Sequence, residues 1–252
     1  MSRFAEHLLV QVLLLDLNLR CALDRLAVNE DPEALHDLRI ALRSLRSVLR
    51  PLRGLPGVDV LSQAAAALGE LSNPLREAQV LTCELQRLGQ AQAAAALAAI
   101  HDPSGHALPG STELQHLLAV LDGFPALWRL AVREGCMAGL RRQVRRRLRR
   151  AAGKLPLTIH GSEDLHALRL QVKRLRYASE AYPQLTPLTR RQLGLLRQLQ
   201  NSLGEWNDCQ HWLSWSAGQP SLASCRSVWL ATAEAAASRA EVQLASYRHG
   251  LE

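Results

Sequence analysis

One pattern constrains this chain more than any other, and it occurs twice. In Leu35–Arg50, Leu35, Leu38, Leu42, Leu45 and Leu49 recur at alternating steps of three and four, the spacing of one face of an α-helix. His36, Arg39, Arg43, Arg46 and Arg50 recur at the same steps one residue later, so a basic stripe runs beside the apolar one, about 100° round the helix. The pattern returns 130 residues on, with His166, Arg169, Lys173 and Arg176 following Leu165, Leu168, Val172 and Leu175. Two copies in one register imply an internal duplication of a helical unit.

The basic stripe is not the mixed-sign surface that solvated helices usually carry. No acid occurs between Asp37 and Asp59, while five arginines do. Like charges this close repel unless an anion lies among them, so the stripe reads as an anion-binding face. The densest positive run, Arg141–Arg150, keeps an apolar seam of Leu140, Val144 and Leu148. Its Arg142, Arg145, Arg146 and Arg149 lie at helical spacing and join the candidate set. Arg174 and Tyr177 flank Arg176, which places them at the second stripe.

Charge is unevenly placed. Residues 1–122 carry a net charge of −4 and residues 123–252 a net charge of +11. Only Lys154 and Lys173 are lysines among 30 basic residues. Guanidinium suits phosphate because its fork can bind two oxygens at once.

Proline and glycine punctuate long helical patterns, and nothing reads as a strand. The chain is therefore expected to be all-α. Helices are expected at about 2–27, from an Asp31–Pro32–Glu33 start to Arg53, at 58–71, and from Asn73 onward, fading in the alanine-rich run 91–99. Residues 101–110, rich in Pro, Gly and His, read as a linker. A short helix to Leu121, a break at Asp122–Gly123 and a long helix 124–152 follow. Then come the helix with His166, two helices at 188–203 and 205–216, and a last one from Pro220 to Tyr247. The expected organisation is a first repeat over 1–100, a linker with a short helix over 101–123, and a second repeat over 124–252. Each repeat would be an antiparallel bundle of about four helices, the two related by a pseudo-twofold axis.

Several function classes find no support. Apolar runs fall short of the roughly 18 residues that span a bilayer, and Glu6 and Asp16 interrupt any signal-peptide pattern, so a cytoplasmic protein is expected. The five cysteines, at 21, 83, 136, 209 and 225, are widely spaced and read as reduced, mostly buried thiols. No P-loop, G-x-S-x-G, G-x-G-x-x-G or metal-ligand cluster is present, so neither catalysis nor a cofactor nor a metal is expected. His36–Asp37 is similar to the His–Asp pair of metal phosphohydrolases, but its twin is His166–Ala167, without the acid. The tryptophans, all in the second half, are expected to be core residues.

Together, Leu35–Arg50, Leu165–Tyr177 and Leu203–Gly204–Glu205–Trp206–Asn207–Asp208 resemble the signature segments of the CHAD, or conserved histidine α-helical domain, family. The resemblance covers nearly the whole chain. It implies two pseudo-symmetric four-helix bundles with a basic cavity between them, binding of inorganic polyphosphate, and association with polyphosphate or polyester granules. Two positions depart from the family pattern. Arg76–Glu77 stands for an Arg–Asp pair, and Glu180 stands where the first stripe has Arg50. The competing reading is a nucleic-acid-binding module, since counterion release serves any polyanion. The scarcity of aromatics among the arginines weakens a base-stacking site.

Overall fold

The computed structural model describes residues 3–28, 31, 33–100, 108–155, 161–217 and 222–249. Asn29, Pro32, Pro156, Pro220 and most of the expected linker lie outside the described residues. Within them the chain is helical, with no strand. The helices are α1 (Arg3–Val28), α2 (Ala34–Leu49), α3 (Val58–Leu71), α4 (Asn73–Arg87), α5 (Ala91–Ile100), α6 (Thr112–Arg133), α7 (Leu140–Ala152), α8 (Ser162–Ala181), α9 (Arg190–Trp215) and α10 (Ala223–His249), with a 3-10 turn at Arg50–Leu52. The chain forms two compact units, Met1–Val144 and Arg145–Glu252.

In the first unit the leucine stripe of α2 does what its period dictates. Leu35, Leu38, Leu42, Leu45 and Leu49 are all buried, and α2 packs against α1 and α3. Each buried leucine contributes roughly 1.5–3 kcal/mol. α6 packs on α3 and α1, where the Trp128 indole donates to the Ala5 carbonyl at 3.0 Å. Gly57 turns the chain into α3 with φ +76°, and a Cβ there would come within 2.7 Å of Leu127. Arg25 of α1 reaches both Asp31 and Asp37, fastening the start of α2.

In the second unit α9 packs against α8 and α10. The α8 seam of Leu165, Leu168, Val172 and Leu175 is buried like that of α2. Thr189 and Gln192 form a capping box at the start of α9. On α10 the buried face is mostly small, with Ala233, Ala236 and Ala240 between Trp229 and Leu244, which lets the two long helices approach closely.

Three helix boundaries differ from expectation. α6 continues through Asp122–Gly123 and past Pro125, because buried Leu114, Leu117, Leu121, Phe124, Trp128 and Ala131 form one uninterrupted face. Its break falls later, at the left-handed Gly135 and Gly139. α9 is a single helix through Gly204; Leu199, Leu203 and Trp206 are buried along it, and this packing outweighs the roughly 1 kcal/mol that a helical glycine costs. The alanine run does not fade but forms α5, which folds back on α4 after a turn at Gly89, φ +74°. The thiols also differ. Cys209 and Cys225 are buried, but Cys21, Cys83 and Cys136 are exposed: Cys21 and Cys83 lie on outward faces of α1 and α4, and Cys136 lies in the turn between α6 and α7.

Candidate functional site

The basic stripe of α2 is half-buried along its length: His36, Arg39, Arg43, Arg46 and Arg50 are neither in the core nor fully in water. Its placement follows from the leucines, which turn one face of α2 into the core and leave the arginines along the margin. There Arg39 and Arg46 meet the end of α3 and the start of α4. Arg39 donates to the Ser72 hydroxyl at 2.7 Å, to the Asn73 side-chain oxygen at 2.8 Å and to the Gly69 carbonyl at 3.4 Å. Ser72 is itself fully buried and donates to the Gly69 carbonyl at 3.0 Å. The Arg46 guanidinium lies over Gly69, 3.7 Å from where a Cβ would sit.

Every one of these Arg39 hydrogen bonds ends on a neutral acceptor. Burial holds its guanidinium below the usual arginine range, and the charges of Arg76 and Arg43 push the same way, against the opposing pull of Glu77. A cation held partly out of water beside two others is costly unless an anion joins it. Three nitrogen-rich heads and the nearby Arg46 therefore form a cluster suited to phosphoryl oxygens.

Arg76 lies outside both basic stripes, so helical spacing alone does not assign it to the site. Ser72 and Asn73 have no signal in the sequence either. The loose parallel of Leu68–Gly69…Arg76–Glu77 with Leu203–Gly204…Asn207–Asp208 marks Arg76 in the sequence but does not place it beside Arg39. Nothing in the local sequence marks a serine and an asparagine more than 30 residues from Arg39 as its acceptors.

The α8 stripe is built differently. His166 and Arg174 are exposed, while Arg169, Lys173, Arg176 and Tyr177 are half-buried. Arg176, with its side chain 14% exposed, donates to the Gln200 side-chain oxygen at 2.6 Å and to Glu180 at 2.9 Å. Its guanidinium lies 4.3 Å from the centroid of the Tyr177 ring. Gln200 also donates to the Tyr177 hydroxyl, at 3.3 Å. Glu180 approaches Arg197 as well, at 3.6 Å. An internal carboxylate thus occupies part of the α8 stripe, in the place where the α2 stripe continues with Arg50.

On α7, Arg142, Arg145, Arg146 and Arg149 are all exposed beside buried Val144 and Leu148. Asp37, the acid next to His36, is bound to Arg25 at 2.7 Å. Among the described residues, no three His, Cys, Asp or Glu side chains converge as metal ligands.

The CHAD domain family model matches residues 14–217. Among solved structures, the CHAD domain from the plant Ricinus communis superposes with a TM-score of 0.68 at 23% identity, covering 98% of this chain and 91% of that one. PptA from Streptomyces chartreusis superposes with a TM-score of 0.53 at 20% identity, covering 97% of this chain and 96% of that one. No curated protein matches the chain. At such identities the structural likeness speaks for the fold alone.

Proposed function

The chain belongs to the CHAD domain family, and from that premise we propose that it binds inorganic polyphosphate through the basic stripes of α2 and α8 and catalyses no reaction on it. The observation that carries this reading is the Arg39 cluster: a half-buried guanidinium satisfied by neutral acceptors and crowded by Arg43 and Arg76. Such a cluster is stabilised by a ligand that brings several negative charges at short intervals. From His36 to Arg50 the chain advances by 14 helical rises, about 21 Å, which accommodates several consecutive phosphates.

The arginines of α7, exposed and at helical spacing, add to the positive field that draws a polyanion in. Nucleic acid shares the phosphates but not the chain geometry, and no aromatic platform accompanies the arginines of α2. A metal phosphohydrolase reading is disfavoured by Asp37, whose carboxylate is engaged by Arg25 rather than left to a metal beside His36. In the cell this reading puts the protein in the cytoplasm, at polyphosphate or polyester granules. Among the described residues no helix is long and apolar enough to cross a membrane.

Incubating the full chain with long-chain polyphosphate, with and without Mg²⁺ or Mn²⁺, separates binding from turnover. The expected result is saturable binding with no release of orthophosphate. Phosphate release that disappears in His36→Ala or His166→Ala would overturn the non-catalytic reading.

A further inference from the structure

α1 is apolar on two opposite sides. One side, with Leu8, Val12, Leu19, Leu23 and Leu26, is buried. On the other, Val10, Leu13, Leu14 and Leu17 follow the i, i+3, i+4, i+7 pattern and are exposed at 47%, 38%, 55% and 57%. A contiguous face of this kind marks an interaction surface rather than scattered apolar residues.

The ends of the same face carry opposite charges. At 100° per residue, Arg3 and Asp24 both lie within about 40° of the direction of Val10, and both are exposed. We propose that α1 pairs antiparallel with α1 of a second copy, about a twofold axis passing between Leu13 and Leu14. Leu13 then meets Leu14 of the second copy, Val10 meets Leu17, and Arg3 meets Asp24 at both ends. All of these pairs are centred on the axis, so one register satisfies the apolar and the charged positions together. A twofold interface needs a self-complementary patch, and this face is one; parallel pairing would set Arg3 against Arg3. A lipid surface fits less well. Membrane-surface helices carry basic residues on their polar flanks, whereas Glu6 and Asp24 border this face.

A single helix face is smaller than the roughly 800 Å² per partner of stable complexes, so the dimer is expected to be weak, with Kd on the order of 10–100 µM. Sedimentation velocity on the full chain without ligand, over about 1–500 µM to bracket that range, should show a monomer turning to dimer. Leu14→Arg and Leu17→Arg should each remain monomeric with unchanged circular dichroism. Arg3→Asp and Asp24→Arg should each weaken association about fivefold, since each breaks both symmetric pairs, and the double variant should restore it. A monomer at every concentration would overturn the proposal, as would a dimer indifferent to both leucine variants. Charge variants without effect, or a double variant worse than either single, would overturn the antiparallel register. A monomer that coats phosphatidylcholine vesicles through Leu14 would assign the face to lipid and likewise defeat the proposal.

Discussion

Replacing Arg39, Arg43 and Arg46 together by alanine tests the α2 stripe most severely. All three lie on the margin of α2, and the helix itself is held by leucines that the change does not touch. Alanine has the higher helix propensity, so helix content should be unchanged. The loss of Arg39 leaves the Ser72 hydroxyl and the Asn73 amide without a donor, but it also removes a guanidinium that burial and Arg76 disfavour. The two effects oppose each other, and the net change in stability should be within about 1–2 kcal/mol. Binding should change far more. If each arginine pairs with a phosphate, removing one such pair flattens the slope of log affinity against log salt by about 0.7, using the single-strand nucleic-acid value. Three arginines together account for about 2 units of slope. Between about 50 and 200 mM salt the wild type should then lose roughly 20-fold more affinity than the variant does. Fluorescence anisotropy with labelled polyphosphate at several salt concentrations reads both quantities. A folded triple variant with the wild-type affinity and slope would refute the assignment of this stripe as the site.

Three further outcomes are expected. Glu180→Gln should free Arg176 for phosphate, tightening polyphosphate binding several-fold and steepening the salt slope by about 0.7; titration with unchanged affinity would mean that the Arg176–Glu180 pair lies away from the ligand. If one chain of phosphates engages both stripes, the second contact is intramolecular, so long polyphosphate should bind far more tightly than triphosphate, and Arg43→Ala should cost more of that advantage than Lys173→Ala; equal affinity per phosphate for both lengths would contradict this. Burial raises the hydroxyl pKa of both Tyr182 and Tyr247, so above about pH 10 the unfolded state binds fewer protons than the folded one and stability falls as pH rises, by up to about 1.4 kcal/mol per pH unit for a tyrosine that stays protonated. Urea melts at pH 9 and 11 should show that fall, smaller in Tyr182→Phe, while Tyr247→Phe, which removes a buried hydroxyl without a hydrogen-bond partner among the described residues, should be neutral or stabilising at pH 7.

What could be read from the sequence was what periodicity controls. The leucines of α2 and α8 announce both their helices and their buried faces, and the arginines one residue on are thereby placed at the margin. Continuity across Gly123, Pro125 and Gly204 was not legible, because local propensity marks these residues as breaks while tertiary packing along α6 and α9 overrides it. The Arg176–Glu180 ion pair was accessible in principle, being an i, i+4 pair on one helix. The Arg39 cluster was not. Its acceptors sit at the end of α3 and the start of α4, and Arg76 comes from α4, so only the packing of α2 on α3 brings them together. The exposed face of α1 shows the converse limit: a run with apolar residues on both sides of the helix announces the helix but not which side is buried, and only the structure separates the buried side from the one left open.

Selection of a chain of phosphates over orthophosphate and over polyanions in general is the property expected of the Arg39 cluster. It is tested most directly by competition on the wild-type protein, with labelled long-chain polyphosphate bound and then challenged by single-stranded DNA and by orthophosphate at equal phosphate concentration. Unlabelled polyphosphate should displace the label while DNA and orthophosphate leave most of it bound. Displacement by DNA as effective as by polyphosphate would refute this selectivity and favour a nucleic-acid-binding module.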